Sequence, residues 1–531
     1  MILNPNEENK MTKRPVRFFN TTGPCNPWDH YMLPPEDRLV GAQLHRYIVD
    51  KLYWVLYAPR QTGKTTFLQS WSRKINSGNE AVACYVSLER CQRLSDSERC
   101  MPDMCKAIQE YAAFSNLPVP EVKTNTASSM LSNILINFST LVAPKPLVIL
   151  FDETDALEGD AMISFLRQLR GGFMERGVGK FPVSIALVGM RDLKDYVTAA
   201  KGGILPSTFS PFNIIEDSVL LTNFSQDEVR ELFAQRTEET SQQITDDALD
   251  YVWEQSQGQP WIVNSLFKRA TLRVLKPDDY STVTRKHIEE AREQMILARE
   301  THLDSLSTRI QDSGIRKVME SLISGVSDPT LTQSESFRLC MDLGLIKRER
   351  GTPVVANPIY REVLARQLSL SAQDAIPEPE WQWEKEDGSL DMDALLKEFQ
   401  VFWRRNSEVW EQKSDYTEAF PHLLLMAFLQ RVLNGGGRIE REYAAGRGRM
   451  DLAVEYREKL YIIEIKLIHS YDTPKEVLDE GIAQTAKYRD RIDGNAPAYL
   501  VIFDRREDAK GKPWEEKLKW EIINGITVVG C

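Results

Sequence analysis

The chain has 531 residues, 42% of them hydrophobic and 27% charged, with a formal net charge of −11. At ~150 residues per domain, this length predicts three or four domains with ordinary apolar cores. The acidic balance excludes indiscriminate electrostatic binding to nucleic acid and leaves room for a local basic groove. No stretch approaches 18 uninterrupted apolar residues, so no membrane span is expected. The opening MILNPNEENKMTKRPVRFF lacks the apolar centre of a secretory signal, and seven irregularly placed cysteines suit a reduced, cytoplasmic location. Cys84, Cys91, Cys100 and Cys105 cluster without a CxxC pair, so free thiols are expected rather than zinc.

The first chemical signal is LYWVLYAPRQTGKTT at Leu52–Thr66, an apolar strand running into a tight loop and a helix. Ala58, Pro59, Arg60, Gln61, Thr62, Gly63, Lys64, Thr65 and Thr66 follow the GxxxxGK[ST] pattern, with alanine in place of its first glycine. Such a loop wraps backbone N–H groups around phosphate oxygens while the helix aims its positive end at the same anion. Lys64 is expected on the β/γ-phosphates and the Thr65 hydroxyl on Mg²⁺, so the segment predicts binding of ATP. Ala81–Leu88 reads as a second strand, and Leu147–Phe151 as a third that runs into Asp152-Glu153. Carboxylates there sit at the carboxyl edge of a parallel sheet, where ligands bind. Asp152 is expected to hold the Mg²⁺ shell and Glu153 to polarise the attacking water. Val183–Gly189 is a further buried strand. Arg191 beyond it is either a γ-phosphate sensor or a cap on a strand-to-loop turn.

Ser225 and Glu228 form an S-x-x-E capping box that opens a helix, and Gly258-Gln259-Pro260 ends one helix and starts another. With Ala58–Thr66 and Asp152-Glu153, this GxP turn resembles the AAA-like ATPases grouped with archaeal-type and signal-transducing NTPases. The opening Phe19-Asn20-Thr21-Thr22-Gly23-Pro24 and Asp29-His30-Tyr31 are similar to a bacterial subgroup of them. The resemblance covers roughly residues 15–370 and implies a parallel sheet, a helical lid whose GxP turn joins the nucleotide pocket, and a winged helix. It also implies a homo-oligomer, in which a neighbour supplies an arginine. Ala58 departs from the pattern and is tolerable where its φ is negative.

Ile315–Ser324 and Thr332–Asp342 are expected helices, after which Leu343–Ile346 begins a strand, Arg350-Gly351 turns it and Val354-Val355 returns. This is the order of a winged helix. It either contacts duplex DNA through Lys347, Arg348 and Arg350 or packs against protein and transmits the nucleotide state. Ser371–Asp387, rich in Pro, Glu and Gln, marks a linker.

The second chemical signal lies beyond it. Met450–Val454 and Leu460–Leu467 read as two strands joined by a polar turn, with Glu464, Lys466 and Ile462 on one half-buried face and Ile463, Ile465 and Leu467 turned into core. Asp451 and Glu464 on adjacent strands can bind Mg²⁺, or Mn²⁺ in its place, which activates a water and neutralises charge on a phosphodiester. Lys466 then orients the water and stabilises the transition state. Asp451-x12-Glu464-Ile465-Lys466 resembles the PD-(D/E)XK nuclease superfamily over roughly residues 390–531. Within that resemblance, Glu418 ahead of the apolar helix Phe420–Leu433 matches an additional helical acid. Gln484 and Tyr488, on a helix starting at Thr473-Pro474, match a QxxxY arrangement beside the active site. Arg438, Arg441, Arg447 and Arg449 offer phosphate contacts, although residues 381–531 carry 23 Lys/Arg against 28 Asp/Glu.

The expectation is a multidomain α/β chain. It has an N-terminal arm (1–35), a P-loop AAA-like ATPase core with a parallel sheet (36–215), a helical lid (216–300), a winged helix (301–370), a linker (371–388) and a restriction-endonuclease-like α/β domain (389–531). The activity expected is an ATPase controlling a metal-dependent nuclease, with DNA as the nucleic-acid partner. The alternatives are a nucleotide-switched signalling or scaffold ATPase, or a DNA-loading ATPase, with a silent nuclease fold.

Overall fold

Apolar runs rich in Val, Ile and Leu, separated by helices, favour a parallel sheet covered on both faces. The computed structural model describes residues 16–39, 42–92, 94–178, 180–190, 214–297, 303, 306, 309–324, 331–364, 383–385, 387–411, 424–426, 428–429, 437–445, 448–457, 459–468, 472–492, 494–504, 506, 516 and 519–531, with the backbone alone at 178, 297, 324, 405–411, 437–445 and 448–451. They fall into two units. One is Met1–Glu300 with Leu339–Lys347 and Ala356–Ile359, and the other is Thr301–Arg338, Arg348–Val355 and Tyr360–Cys531.

The first unit runs α1 (Leu44–Val49), β1 (Tyr53–Tyr57), α2 (Lys64–Ser77), β2 (Val82–Ser87), α3 (Ser97–Phe114), α4 (Ala127–Val142), β3 (Leu147–Asp152), α5 (Gly159–Phe173), β4 (Ser184–Gly189) and β5 (Ile215–Leu220). The strands are parallel in the order β2-β3-β4-β1-β5. Side chains alternate between two cores: Tyr53, Val55, Ile149 and Phe151 join the one built with α3, α4 and α5, whereas Trp54, Leu56, Val148 and Leu150 join Phe67 and Trp71 of α2. Parallel strands share one carboxyl edge, so the loop after β1 and the acids after β3 lie on the same side, with β4 between them.

The lid consists of α6 (Gln226–Thr240), α7 (Asp246–Ser256), α8 (Pro260–Arg269) and α9 (Arg285–Leu297). The Ser225–Glu228 capping box closes as expected: Ser225 Oγ accepts from the Glu228 N–H at 3.2 Å, and Glu228 Oε2 accepts from the Ser225 N–H at 2.7 Å. The arm is held to this lid by Phe19, whose ring packs on Phe233 of α6 and Phe267 of α8.

Next come α10 (Ser313–Ser324), α11 (Glu335–Asp342), β6 (Ile346–Glu349) and β7 (Thr352–Val355), with β6 and β7 forming a two-stranded sheet. Two boundaries differ from expectation. Leu331–Gln333 is a separate 3-10 turn, so α11 starts at Glu335 instead of Thr332. Gly344, at φ 69°, bends the chain before β6, which therefore begins at Ile346 rather than Leu343. Arg350 and Gly351, both at positive φ, make the tight turn into β7.

The C-terminal sheet is assembled from β8 (Gly437–Ala445), β9 (Gly448–Tyr456), β10 (Lys459–Ile468), β11 (Ala498–Asp504), β12 (Trp520–Ile523) and β13 (Ile526–Gly530), in the order β12-β13-β11-β10-β9-β8. Helix α12 (Met392–Glu411) covers one face through Phe399 and Trp403 against Phe503. Helix α13 (Pro474–Ile492) covers the other, where Ile482 and Tyr488 join Ile462, Leu500 and Ile502. The Glu464 face is therefore roofed by α13 instead of being half-open, and Leu467 on the opposite face is only half-buried. Expected residues Arg191, Glu418 and Arg447 lie outside the described residues, as does most of the segment 420–433.

Candidate functional sites: a phosphate-binding loop and a buried Glu-Lys strand

The loop after β1 is shaped by its neighbours. Ala58 is fully buried, its N–H donates to Gly189 O at 3.3 Å, and its φ is not among the positive ones, so its Cβ is accommodated. Gly63 has φ 97°, and a Cβ there would stand 2.9 Å from Arg38 Nη2. Only glycine fits both demands. Arg38 itself is buried, donates to Thr62 O at 2.8 Å and Thr222 O at 3.2 Å, and lies over the Phe224 ring. Burial pulls its pKa down to about 10.

Lys64 Nζ donates to Ala58 O at 2.7 Å and Pro59 O at 2.8 Å. Burial lowers its pKa to about 8, while Asp152, Asp155 and Glu153 oppose the shift. Thr65 Oγ1 donates to Asp152 Oδ2 at 2.6 Å, and Tyr85 OH of β2 donates to the same oxygen at 3.2 Å. Asp152 is 1% exposed, and burial pushes its carboxyl above the ordinary range. A hydroxyl beside a buried carboxylate is a hard-oxygen pair that fits Mg²⁺. When bound, the ion would neutralise charge on phosphate oxygens.

Glu153 adopts the left-handed conformation (φ 56°, ψ 42°), and Thr154 Oγ1 pins the following turn by donating to Val188 O at 3.0 Å. Burial first, then repulsion from Asp152, Glu89 and Asp155, raises the Glu153 pKa to about 7, suited to a general base. A cavity of about 630 Å³ joins Gly63, Lys64, Thr65, Thr66, Asp152 and Glu153 to Arg60 and Gln61. Further lining comes from Asn20, Thr21, Gly23, Pro24 and Cys25 of the arm, from Glu89 and Asp155, and from Pro260, Trp261 and Asn264 of the lid. The arm bridges loop and lid: the Cys25 N–H donates to Thr66 Oγ1 at 3.0 Å, and Trp261 Nε1 donates to Thr21 O at 2.9 Å. The run Phe19–Pro24 stands out in the sequence as a family resemblance and not as a pocket wall, and Arg38 and Tyr85, which brace Thr62 and Asp152 from outside the cavity, carry no motif at all. Their only signal is proximity after folding.

In the C-terminal unit Glu464 is 2% exposed and pairs with Lys466, whose Nζ lies 3.8 Å from Glu464 Oε1. From α13, Gln484 Oε1 accepts from Lys466 Nζ at 2.8 Å, Glu480 Oε1 lies 3.5 Å from it, and Gln484 Nε2 donates to Tyr488 OH at 3.0 Å. Gln484 thus acts on Lys466 and not on a distant group. Leu452 pairs with Ile463, so the backbone of Asp451 stands next in register beside Glu464. Arg438, Arg441 and Arg449 lie on β8 and β9. Glu464 offers a buried oxygen ligand of the kind a divalent ion takes, with Lys466 offsetting its charge, and among the described residues no three His, Cys, Asp or Glu side chains converge on a metal-sized site. No helix of the described residues is long and apolar enough to cross a membrane.

Comparison with known proteins gives two family matches. Residues 49–197 match the AAA domain family, and residues 416–499 match the PD-(D/E)XK nuclease superfamily. No curated protein matches the chain. Among solved structures, the Walker-type ATPase of Pyrococcus abyssi is similar over 65% of this chain and 99% of its own, at 13% identity and TM-score 0.47. The Aeropyrum pernix ORC2 protein is similar over 63% and 92%, at 14% identity and TM-score 0.39. The Thermotoga maritima RuvB Holliday junction branch migration motor is similar over 60% and 90%, at 16% identity and TM-score 0.33.

Proposed function

We propose that this chain, which carries an AAA domain and a PD-(D/E)XK nuclease superfamily domain, binds and hydrolyses ATP and, under control of that cycle, cleaves DNA at its C-terminal site. The observation that carries the reading is the completeness of the first set: Lys64, Thr65, Asp152 and Glu153 all line one cavity. The second set adds the Glu464–Lys466 pair held by Gln484. Lys64 and the loop N–H groups hold the phosphates, Thr65 and Asp152 hold Mg²⁺, and Glu153 takes the proton of the attacking water. At the C-terminal site Glu464, with Asp451, holds Mg²⁺ or Mn²⁺, and Lys466 stabilises the charge of the transition state.

Control by ATP is supported by the segment Leu343–Lys347. A Cβ on Gly344 would lie 2.6 Å from Pro59 Cβ in the phosphate loop, and Lys347 Nζ donates to Gln257 Oε1 of the lid turn at 2.7 Å. The segment therefore packs on the phosphate loop at Pro59 and on the turn at Gln257 that precedes the Pro260 helix, which favours the protein-packing role for a winged helix at 301–370. DNA is the substrate in this reading because nucleases of this superfamily mostly act on it, and the protein works in the cytoplasm as a homo-oligomer. The test is cleavage of circular and linear DNA with Mg²⁺ or Mn²⁺, comparing wild type with Lys466→Ala. Metal-dependent cleavage lost with Lys466→Ala supports the reading. Cleavage indifferent to that change removes the assignment of Lys466, and no cleavage by wild type under any of these conditions favours a nucleotide-switched scaffold.

A further inference from the structure

The reading of the ATPase site leaves one cation of the cavity without a role. Arg60 is exposed, lines the same cavity as Lys64 and Glu153, and among the described residues holds no ion pair or hydrogen bond. Lys64 is occupied differently, since its Nζ is tied back to Ala58 O and Pro59 O inside the loop. The cavity lining carries four carboxylates, Glu89, Asp152, Glu153 and Asp155, against two cations. A triphosphate entering this acidic space needs more positive charge than one buried lysine and a metal ion supply.

We propose that Arg60 contacts the γ-phosphate in cis, so that a single chain holds a complete ATP-hydrolysing site without an arginine from a neighbour. This rests on the cavity being a nucleotide site. Arg60 follows Pro59 in the loop and lines the same cavity as Asp152, Glu153 and Asp155. Its charge acts on Glu153, opposing the upward shift of that carboxyl, so the two groups share one field. In the hydrolysis step the water oxygen bonds to the γ-phosphorus as Glu153 takes a water proton. The bridging P–O bond breaks, and its electron pair leaves on ADP. Arg60 neutralises the negative charge that spreads over the γ-phosphoryl oxygens, a job its planar fork of N–H donors suits. An arginine elsewhere in the chain, or in a partner, is then unnecessary for turnover.

The test separates this role from simple nucleotide binding. Calorimetric affinities for ADP and for ATPγS are measured on the full chain for wild type, Arg60→Ala, Arg60→Lys and Lys64→Ala. Arg60→Ala is expected to weaken ATPγS binding by about tenfold or more while changing ADP affinity less than about twofold, with partial recovery in Arg60→Lys. Lys64→Ala weakens both nucleotides. Turnover by Arg60→Ala falls by about 10³-fold or more, and wild-type turnover per chain does not depend on protein concentration. An Arg60→Ala chain that loses both affinities equally, or neither, overturns the proposal, as does per-chain turnover that climbs with concentration. Wild type that binds neither nucleotide overturns the nucleotide-site reading as well, and that outcome is distinct from the others.

Discussion

Gly344 offers a matched comparison that isolates the link between the phosphate loop and the segment after α11. Gly344 and Gly351 both sit at positive φ, 69° and 88°, and both pay for a side chain in the left-handed region. That cost is about 1–2 kcal/mol for alanine. They differ in what the new methyl meets: at Gly351 nothing lies within 4 Å, whereas at Gly344 Pro59 Cβ and Cγ lie at 2.6 and 2.7 Å. Contacts that close are forbidden, so Gly344→Ala must push the segment off Pro59 at an additional cost of about 1–3 kcal/mol. The difference in urea unfolding free energy between the two variants reads this directly: Gly344→Ala is expected to lose about 1–3 kcal/mol more than Gly351→Ala. Equal losses in the two variants would refute the claim that this contact braces the loop.

Three further outcomes follow from the sites. Burial and its acidic neighbours raise the Glu153 pKa to about 7, and in the proposed role as base it works only as the carboxylate, so ATP turnover should rise about tenfold per pH unit below 7 and level off above it, with Glu89→Gln moving the midpoint down; a flat profile from pH 5.5 to 8 contradicts the base assignment. The sign for stability is opposite: a carboxyl whose folded pKa exceeds its unfolded one favours the folded state most at low pH and loses that contribution as pH climbs to about 7. Arg38→Met leaves Thr62 O and Thr222 O without their donor in a buried setting, and urea unfolding is expected to report a loss of about 2–4 kcal/mol, partly offset by the desolvation that disappears with the charge. Gln484→Ala removes the 2.8 Å acceptor from Lys466 Nζ while leaving Glu464 and Glu480 near it, so DNA cleavage should drop by about 10–100-fold with the fold intact; unchanged cleavage would free Gln484 of any role.

What could be read from the sequence was what depends on neighbours along the chain. The strand, loop and helix around Gly63-Lys64-Thr65, the Ser225–Glu228 cap and the Glu464–Lys466 alternation are local patterns, and each reappears in the structure. The pocket walls contributed by the arm and the Arg38 brace span long chain separations, Arg38 to Thr222 and Thr21 to Trp261, and no periodicity encodes them. Strand β5, IEDSVL, carries charges because it is a sheet edge, which hides its strand character. The roof of α13 over Glu464 likewise came from packing: Gly481 lets the helix lie so close that a Cβ there would be 2.8 Å from Leu500. Alternation tells which residues share a face and is silent on what covers it.

The central claim is that nucleotide at the first site governs cleavage at the second. The most direct test measures DNA cleavage with Mg²⁺, with and without ATP, by wild type and by Lys64→Ala. The account predicts that ATP changes the wild-type cleavage rate and that Lys64→Ala, still folded and still carrying Glu464 and Lys466, loses that response. Equal cleavage with and without ATP in wild type, or an ATP response that survives in Lys64→Ala, would contradict it.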